Sequence, residues 1–342
     1  MKKQKMSAPI DFVITWVDGS DSKWIELRRQ YQGALTKEDK KKNTEARYRD
    51  MELLKYWFRG VETFAPWVNR IHFVTCGQVP DWLNTEHPKI HLVNHTDFLR
   101  EEDLPTFNSN AIELRIHEIP GLSENFVYFN DDVFITSPVE STLFFRNGLP
   151  CDMYEVKALV SFAAEDAIDY IRLNNLGILN KFFFGRKSKF TAFFKKYTVQ
   201  YPLKVLLRNI YSIGWQGYIG IADHHVSMAY RKSDFEAVWK AAPDFLANTC
   251  AYKFRTPHDV SHWIIRYWRL VKGEFYPINL YKHSLCFLLK NSDSEASEAV
   301  RQQKFKIVCL NDNSLIQDFE KIKKDLQDAF DAILPQKSSF EK

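Results

Sequence analysis

Residues Leu104–Pro138, LPTFNSNAIELRIHEIPGLSENFVYFNDDVFITSP, decide the architecture of this chain. The polar turn Asn108-Ser109-Asn110 has the short side chains that cap a helix. The pattern predicts that helix over about Ala111–Glu118, with Glu113 in its first turn and Pro120-Gly121 as its stop. Asn125–Asn130 then predicts a strand, because Phe126, Val127, Tyr128 and Phe129 form an aromatic, β-branched run. A helix of about ten residues spans ~15 Å, and a strand of about six spans ~20 Å. Running out and back, they bring the strand's end, Asn130-Asp131-Asp132, beside the helix's beginning. Carboxylates at the strand ends of an open α/β sheet are placed to hold a divalent cation, and N–H groups at a helix start favour an anion. A metal ion beside a phosphate is the chemistry this cluster points to; a bare turn is the plainer reading of an isolated Asp-Asp pair.

Upstream, Ile10–Val17 (IDFVITWV) reads as a strand ending at the turn Asp18-Gly19-Ser20-Asp21, with a helix from about Lys23. RYRDMELLKYWFRGVETFAPW predicts a long helix burying Leu53, Leu54, Trp57, Phe58 and Val61. Arg49, Asp50 and Glu52 fall in its first turn and Arg59 near its end. Arg49 is the phosphate candidate there, since a guanidinium fork matches phosphate oxygens. Arg70–Thr75 and Lys89–Val93 are two more strands, and strands alternating with helices imply a Rossmann-like, mainly parallel α/β sheet. Asn147-Gly148 between apolar flanks signals a hairpin. Further on, Lys290–Gln303 reads as a polar loop, Lys306–Asp312 as a strand, Leu315–Leu334 as a helix, and residues 335–342 as a disordered tail.

Composition sets limits. The 342 residues are 45% hydrophobic and 26% charged, ordinary for a globular α/β chain. The five cysteines (Cys76, Cys151, Cys250, Cys286, Cys309) are scattered without a CxxC pair, which fits reduced thiols better than a disulfide frame or a zinc site. MKKQKMSAPIDF has no apolar core of a signal peptide, and no stretch reaches the length of a membrane span. GxGxxG, GxxxxGK[ST], HExxH and GxSxG are all absent, so dehydrogenase, kinase, zinc-protease and α/β-hydrolase readings have no footing.

TFNSNAIE, IPGLSE and YFNDDVF, in that order and spacing, resemble the second conserved region of the Stealth family of sugar-1-phosphate transferases. That family makes bacterial capsules, and its animal relative puts GlcNAc-1-phosphate on lysosomal glycoproteins. WVDGSDSKW resembles the first region, with Ser22 where proline is usual. The RD…EL…R pattern around Arg49 is shared. DHHVSMAYRKSDFEAVW resembles the third region, which makes His225 the family histidine and Arg231-Lys232 its basic pair, with His224 as its neighbour. Lys253-Phe254-Arg255 with Asp259 matches a further motif, and KIVCLND resembles the fourth region. The resemblance implies a GT-A-type fold and catalytic roles for Asp21, Glu113, Asp132, His225 and Arg255. It places Trp16, Asp18, Gly19, Arg49, Asn108, Ser109, Asn110, Asn130, Arg231 and Lys232 at the substrates, and Asp131, Asp132 and Asp312 on Mg²⁺ or Mn²⁺. The implied partners are a nucleotide-sugar donor and a glycan or lipid-linked glycan acceptor. A glycosyltransferase releasing a nucleoside diphosphate is the alternative.

The segment the resemblance explains least divides the chain: 1–155 as the nucleotide-sugar part, 156–220 as a helical, basic-aromatic insertion, and 221–334 as the rest of the catalytic domain. Lys181–Arg208 holds eight basic residues and no acidic one. The plainest reading is an amphipathic subdomain; otherwise Lys187, Lys189, Lys195 and Lys196 would form a cationic wall for a charged acceptor, or a peripheral contact with an anionic membrane. No nucleic-acid module accompanies the patch, so nucleic acid is not an expected partner. The expected location is cytoplasmic, extending to the inner face of the plasma membrane.

Overall fold

The computed structural model describes residues 8–33, 50–160, 167–185, 187–290, 294–312 and 316–342. Eleven strands appear among them: β1 (Ile10–Thr15), β2 (Ile71–Thr75), β3 (Ile90–Asn94), β4 (Asn125–Phe129), β5 (Val133–Ile135), β6 (Phe145–Arg146), β7 (Leu149–Asp152), β8 (Met228–Arg231), β9 (Tyr276–Pro277), β10 (Ser284–Leu288) and β11 (Ile307–Asn311). The central sheet runs β3-β2-β1-β4-β8, with β1 to β4 parallel and only β8 antiparallel. The mainly parallel α/β expectation therefore holds. A second sheet, β10-β11-β5, carries the strand that leaves Asp132, and a third joins β6, β7 and β9. The β6–β7 hairpin turns at Asn147 (φ 54°) and Gly148 (φ 74°), the left-handed pair a tight hairpin favours.

Both faces of the central sheet are covered, which is why its strands are almost wholly apolar. Phe12 and Ile14 of β1 and Val127 and Phe129 of β4 face one core, shared with helices Leu54–Phe64 and Phe319–Ile333. Val13, Phe126 and Tyr128 point to the other, shared with helices Ser109–Leu114, Lys232–Ala241 and Trp263–Lys272. The close fit is visible at Gly60, where a Cβ would come within 2.7 Å of the Ile135 carbonyl oxygen.

Four expectations change. The helix after Arg49 begins only at Leu54, because Glu52 sits at φ 56° and breaks the first turn; Arg49 lies outside the described residues. Lys290–Gln303 contains a helix, Ser294–Arg301, that buries Ala296, Ala299 and Val300. Its apolar residues at three- and four-residue spacing were hidden among Ser and Glu. The tail is folded, not disordered: Phe340 is buried in the core. Glu341 accepts from Arg59 Nε at 2.8 Å and Nη2 at 2.9 Å, so Arg59 is a structural anchor. Last, Ser109–Leu114 is a six-residue helix followed by a 3₁₀ turn, Ile116–Glu118, and not one long helix.

The insertion is helical as expected (Ala167–Phe183, Lys187–Phe190, Phe193–Lys196, Leu203–Tyr211) and is closed at its neck by the Val156–Ile221 bridge. Leu176, Leu179, Tyr201, Val205 and Tyr218 join the second core of the central sheet, so it has no separate core. Its lysines do not form the expected wall. Lys189 is buried with its ammonium on the carbonyl oxygens of Ser212 and Trp215 at 2.5 and 2.6 Å. Lys196 is buried too and donates to Ser188 at 2.8 Å and Val271 at 2.6 Å. Lys195 donates to Gly273 at 2.8 Å. These cations staple turns together and are not offered to a polyanion.

Candidate active site

The parallel strands β1 and β4 end on one edge of the sheet, and the acidic residues collect there. Asp132, at the turn out of β4, is held by its surroundings on one side only. Its Oδ2 receives Asn311 Nδ2 at 3.1 Å and the Cys309 thiol at 3.4 Å, and lies 3.3 Å from His225 Nε2. The backbone completes the clamp, since Leu310 N–H donates to the Asp132 carbonyl at 2.8 Å. Its other oxygen, Oδ1, is buried and has no hydrogen-bond partner. A buried carboxylate oxygen left unpaired is costly unless a cation or ligand completes it.

Charges around it follow from the crowding. Burial works against the Asp132 charge, but the hydrogen bond and charge of His225, with Cys309 and Asn311, hold its carboxyl below the usual range. Asp131 is open to solvent along much of its surface. Desolvation of its carboxyl, then repulsion from Asp132 and Asp50, nevertheless push it up to about 7. Asp50 is raised by burial, against its Glu52 N–H bond, with Glu52 and Asp18 repelling it further. His225 responds in the opposite sense: desolvation opposes its charge, Asp132 overcomes this, and it rises to about 9. An edge with this excess of negative charge favours a cation.

Asp132, His225 and Cys309 each offer one ligand atom, all within 4.8 Å of one another. A carboxylate, an imidazole and a thiol are donors a divalent transition ion accepts, and Asp132 has its second oxygen, Oδ1, still unpaired. Asp131 lies beside it, and Asp312 follows Asn311 at the end of β11. Cys309 was missed by reading the sequence, although alternation in KIVCLND puts Cys309 and Asn311 on one strand face.

Behind the edge lies a second polar cluster. Glu113, buried, accepts from Tyr128 Oη at 3.2 Å and lies 2.6 Å from His262 Nδ1; Tyr128 Oη is also 3.1 Å from Thr15 Oγ1. Burial opposes the Glu113 charge, yet His262 and then Arg255 hold its carboxyl below the usual range. Arg255 donates to Ser109 Oγ. Asn108 and Asn110 both donate to Asp259 Oδ2, at 2.8 and 3.1 Å, and Asn108 caps the Asn110 N–H, so this turn is fixed by the protein itself. Asn130 Nδ2 is 3.3 Å from His225 Nε2.

Other expected residues have local roles. Asp21 caps helix Ser22–Gln32 through the N–H groups of Lys23 and Trp24, and its second oxygen takes Gln78 Nε2 at 3.2 Å. Asp18 closes its own turn, across Gly19, on Ser20. Gln78, unnoticed in the sequence, also donates to the Asp18 carbonyl at 3.0 Å and so ties the two together. Trp16 stacks on Phe73 with ring centroids 5.8 Å apart. Arg231 and Lys232 are not brought to the site. Arg231 pairs in register with Asn125, at the opposite end of β4 from Asn130, and its guanidinium is engaged by Asp234 and Glu274. His224 lies 3.4 Å from Glu155 instead of facing Asp132.

A mainly parallel α/β sheet thus collects acidic residues and a histidine at its strand ends, with an arginine behind them. The comparisons with known proteins identify the family. Models of Stealth protein conserved regions 1, 2 and 4 match residues 8–36, 47–151 and 298–342. The chain is 39% identical over 333 residues to the capsular polysaccharide phosphotransferase WcwK of Streptococcus pneumoniae, covering 97% of this chain and 98% of that one. It is 37% identical over 338 residues to the receptor polysaccharide phosphotransferase WefC of Streptococcus gordonii, covering 98% and 100%. The exopolysaccharide phosphotransferase cps2G of Lactiplantibacillus plantarum is 37% identical over 342 residues, covering 97% and 96%. The chain belongs to the Stealth family and is an enzyme of the transferase class. Among solved structures, the galactosyltransferase LgtC with donor and acceptor sugar analogues is similar at a TM-score of 0.40 and 10% identity, covering 94% of this chain and 96% of that one. Among the described residues no helix is long and apolar enough to cross a membrane.

Proposed function

We propose that this enzyme transfers a hexose-1-phosphate, such as GlcNAc-1-phosphate, from a nucleotide-sugar to a glycan hydroxyl in capsule or cell-surface polysaccharide synthesis. The acceptor oxygen attacks the sugar-linked phosphorus, the bond from that phosphorus to the bridging oxygen breaks, and a nucleoside monophosphate leaves. The product is a phosphodiester. The buried, unpartnered Oδ1 of Asp132 carries this reading, because it is a cation position at the edge where the donor's phosphates would sit. Mg²⁺ or Mn²⁺ would be held there by Asp132 with Asp131 and Asp312, and when bound would offset charge on the phosphoryl oxygens.

The chain's own groups do the remainder. Arg255, beside Ser109, supports the phosphoryl charge, and Glu113 keeps the arginine's surroundings anionic. His225 accepts the proton of the acceptor hydroxyl at Nε2. That role requires the imidazole to be neutral, and the present Asp132 pairing favours imidazolium, so base action depends on the Asp132 charge being engaged elsewhere. Incubating the enzyme with a panel of nucleotide-sugars, an acceptor glycan and Mg²⁺, then identifying the released nucleotide, tests the proposal. Release of UMP or CMP supports it. Release of UDP or CDP assigns instead a transfer at the anomeric carbon.

A further inference from the structure

Helix Leu203–Tyr211 is amphipathic the wrong way round. Leu203, Leu207, Ile210 and Tyr211, spaced four, three and one residues apart, are 70, 57, 48 and 74% exposed. The inward side carries Val205 and the polar Asn209. Asn209 Nδ2 donates to the carbonyls of Tyr154 at 2.7 Å and Lys196 at 3.0 Å, and its Oδ1 accepts Val156 N–H at 2.8 Å. The helix is thus locked with its apolar stripe outward, where a free surface helix would bury it. Other pieces of the same segment expose apolar groups as well. Phe194 is 89% exposed, Phe190 53% and Trp215 51%, with Phe193 bridging Phe190 and Phe194 at ring-centroid distances of 6.1 and 5.8 Å. Lys189, on the Ser212 and Trp215 carbonyls, binds these pieces into one unit.

The segment that carries this surface has charge of one sign. No Asp or Glu occurs between Asp169 and Asp223, while Lys181, Lys187 and Lys204 are exposed. Large exposed apolar and aromatic groups on a segment that carries lysines and no acid of its own match the boundary between anionic headgroups and acyl chains. The surface also sits close to the chemistry. Arg208 of this helix pairs with Glu155, which accepts Tyr281 Oη at 2.8 Å and lies beside His224, the neighbour of His225.

We propose that the exposed apolar surface of helix Leu203–Tyr211, with Phe190, Phe194 and Trp215, docks this enzyme onto an anionic lipid bilayer. The contact is apolar insertion aided by the segment's exposed lysines, not the purely electrostatic attraction a count of basic residues suggests, because Lys189 and Lys196 are committed inside the protein. Docking would hold the catalytic edge next to a lipid-linked acceptor, and it does not depend on the transfer reaction proposed above.

The full chain is mixed with phosphatidylglycerol–phosphatidylcholine vesicles, with and without bromine-labelled lipid, and sedimented at low and high salt. The expected result is co-sedimentation that persists at high salt, with the emission of the protein's tryptophans quenched by the labelled lipid and that quenching reduced in Trp215→Phe. Leu203→Ser/Leu207→Ser/Tyr211→Ser should lower the bound fraction about tenfold or more, because three apolar anchors are lost. Lys187→Gln/Lys204→Gln should lower it several-fold at low salt only. Wild-type protein left in the supernatant overturns the proposal, and so does a folded triple variant that sediments like wild type. So does a wild-type dimer that the triple variant dissociates without any vesicle binding, which would make a second copy the occupant. Quenching in wild type decides the matter even if the triple variant fails to fold. Because no substrate is present, failure here leaves the proposed reaction standing, and failure of that reaction leaves the docking result intact.

Discussion

Two regions bury charge and treat it in opposite ways. Around Asp152 the carboxylate is paired on both oxygens: Arg266 and Arg269 reach it at 2.9 and 2.7 Å, and Arg266 also donates to the Ala222 and Met153 carbonyls. Lys196, alone among carbonyls, is likewise closed on two sides. At the strand-end edge the same chain leaves Asp132 Oδ1 unpaired and lets Asp132 and Asp50 push against Asp131. Charge completed by the protein is structural, whereas charge left incomplete at a cleft is held for something that arrives. The contrast separates sites that look alike in sequence.

The largest effect expected from breaking the contrast is at Asp132. Asp132→Asn should lower turnover by roughly 10³-fold or more with the melting temperature nearly unchanged, since a phosphoryl-charge clamp is lost and packing is not. Chelation with EDTA should do the same, reversibly. A metal-independent, active Asp132→Asn enzyme would end the cation assignment.

On the completed side, Asp152→Ala should cost stability, about 3–5 kcal/mol, because two buried guanidiniums lose their partner. Denaturant unfolding measures this. A small stability loss with a large activity loss would mean the Arg266–Arg269 pair has been misread as structural.

The two adjacent histidines give the next test. His225→Ala should reduce turnover by roughly 10²-fold, the range of a lost general base, and His224→Ala, which only releases Glu155, should reduce it far less. The reverse order in a turnover assay would move the site to the other side of the pair.

The smallest effect is a pH slope. Burial pushes the Lys196 amine down to about 7 from an ordinary 10.5. Between those values the unfolded chain holds a proton the folded chain lacks, so stability from this group rises as pH climbs from about 7 towards 10.5. Below 7 both states are protonated and the slope vanishes. Lys196→Met should flatten the stability profile across that window in pH-dependent melting, and an unchanged slope would show the amine stays charged when buried.

Much of this was legible along the chain. The apolar runs Ile10–Val17 and Asn125–Asn130, each ending in acidic residues, set the parallel strands and the edge where Asp131 and Asp132 lie, because hydrophobic period and turn chemistry are local properties. Asn147-Gly148 specified its hairpin for the same reason. Other features required the folded molecule. Whether a lysine faces solvent or a carbonyl depends on what packs against it, so Lys187 and Lys196, nine residues apart and alike in sequence, end outside and inside. Arg231 found Asp234 and Glu274 before any phosphate could claim it. The tail looked disordered because its anchor, Arg59, stands almost the whole chain away. Cys309 and Asn311 reach Asp132 only because β11 pairs with β5, a contact set by sheet register and not by proximity in sequence. Sequence by itself determined which residues could form strands, turns and an acidic edge; tertiary structure decided which charges were paired and that Asp132 Oδ1 was left open, since pairing is a matter of distance in space.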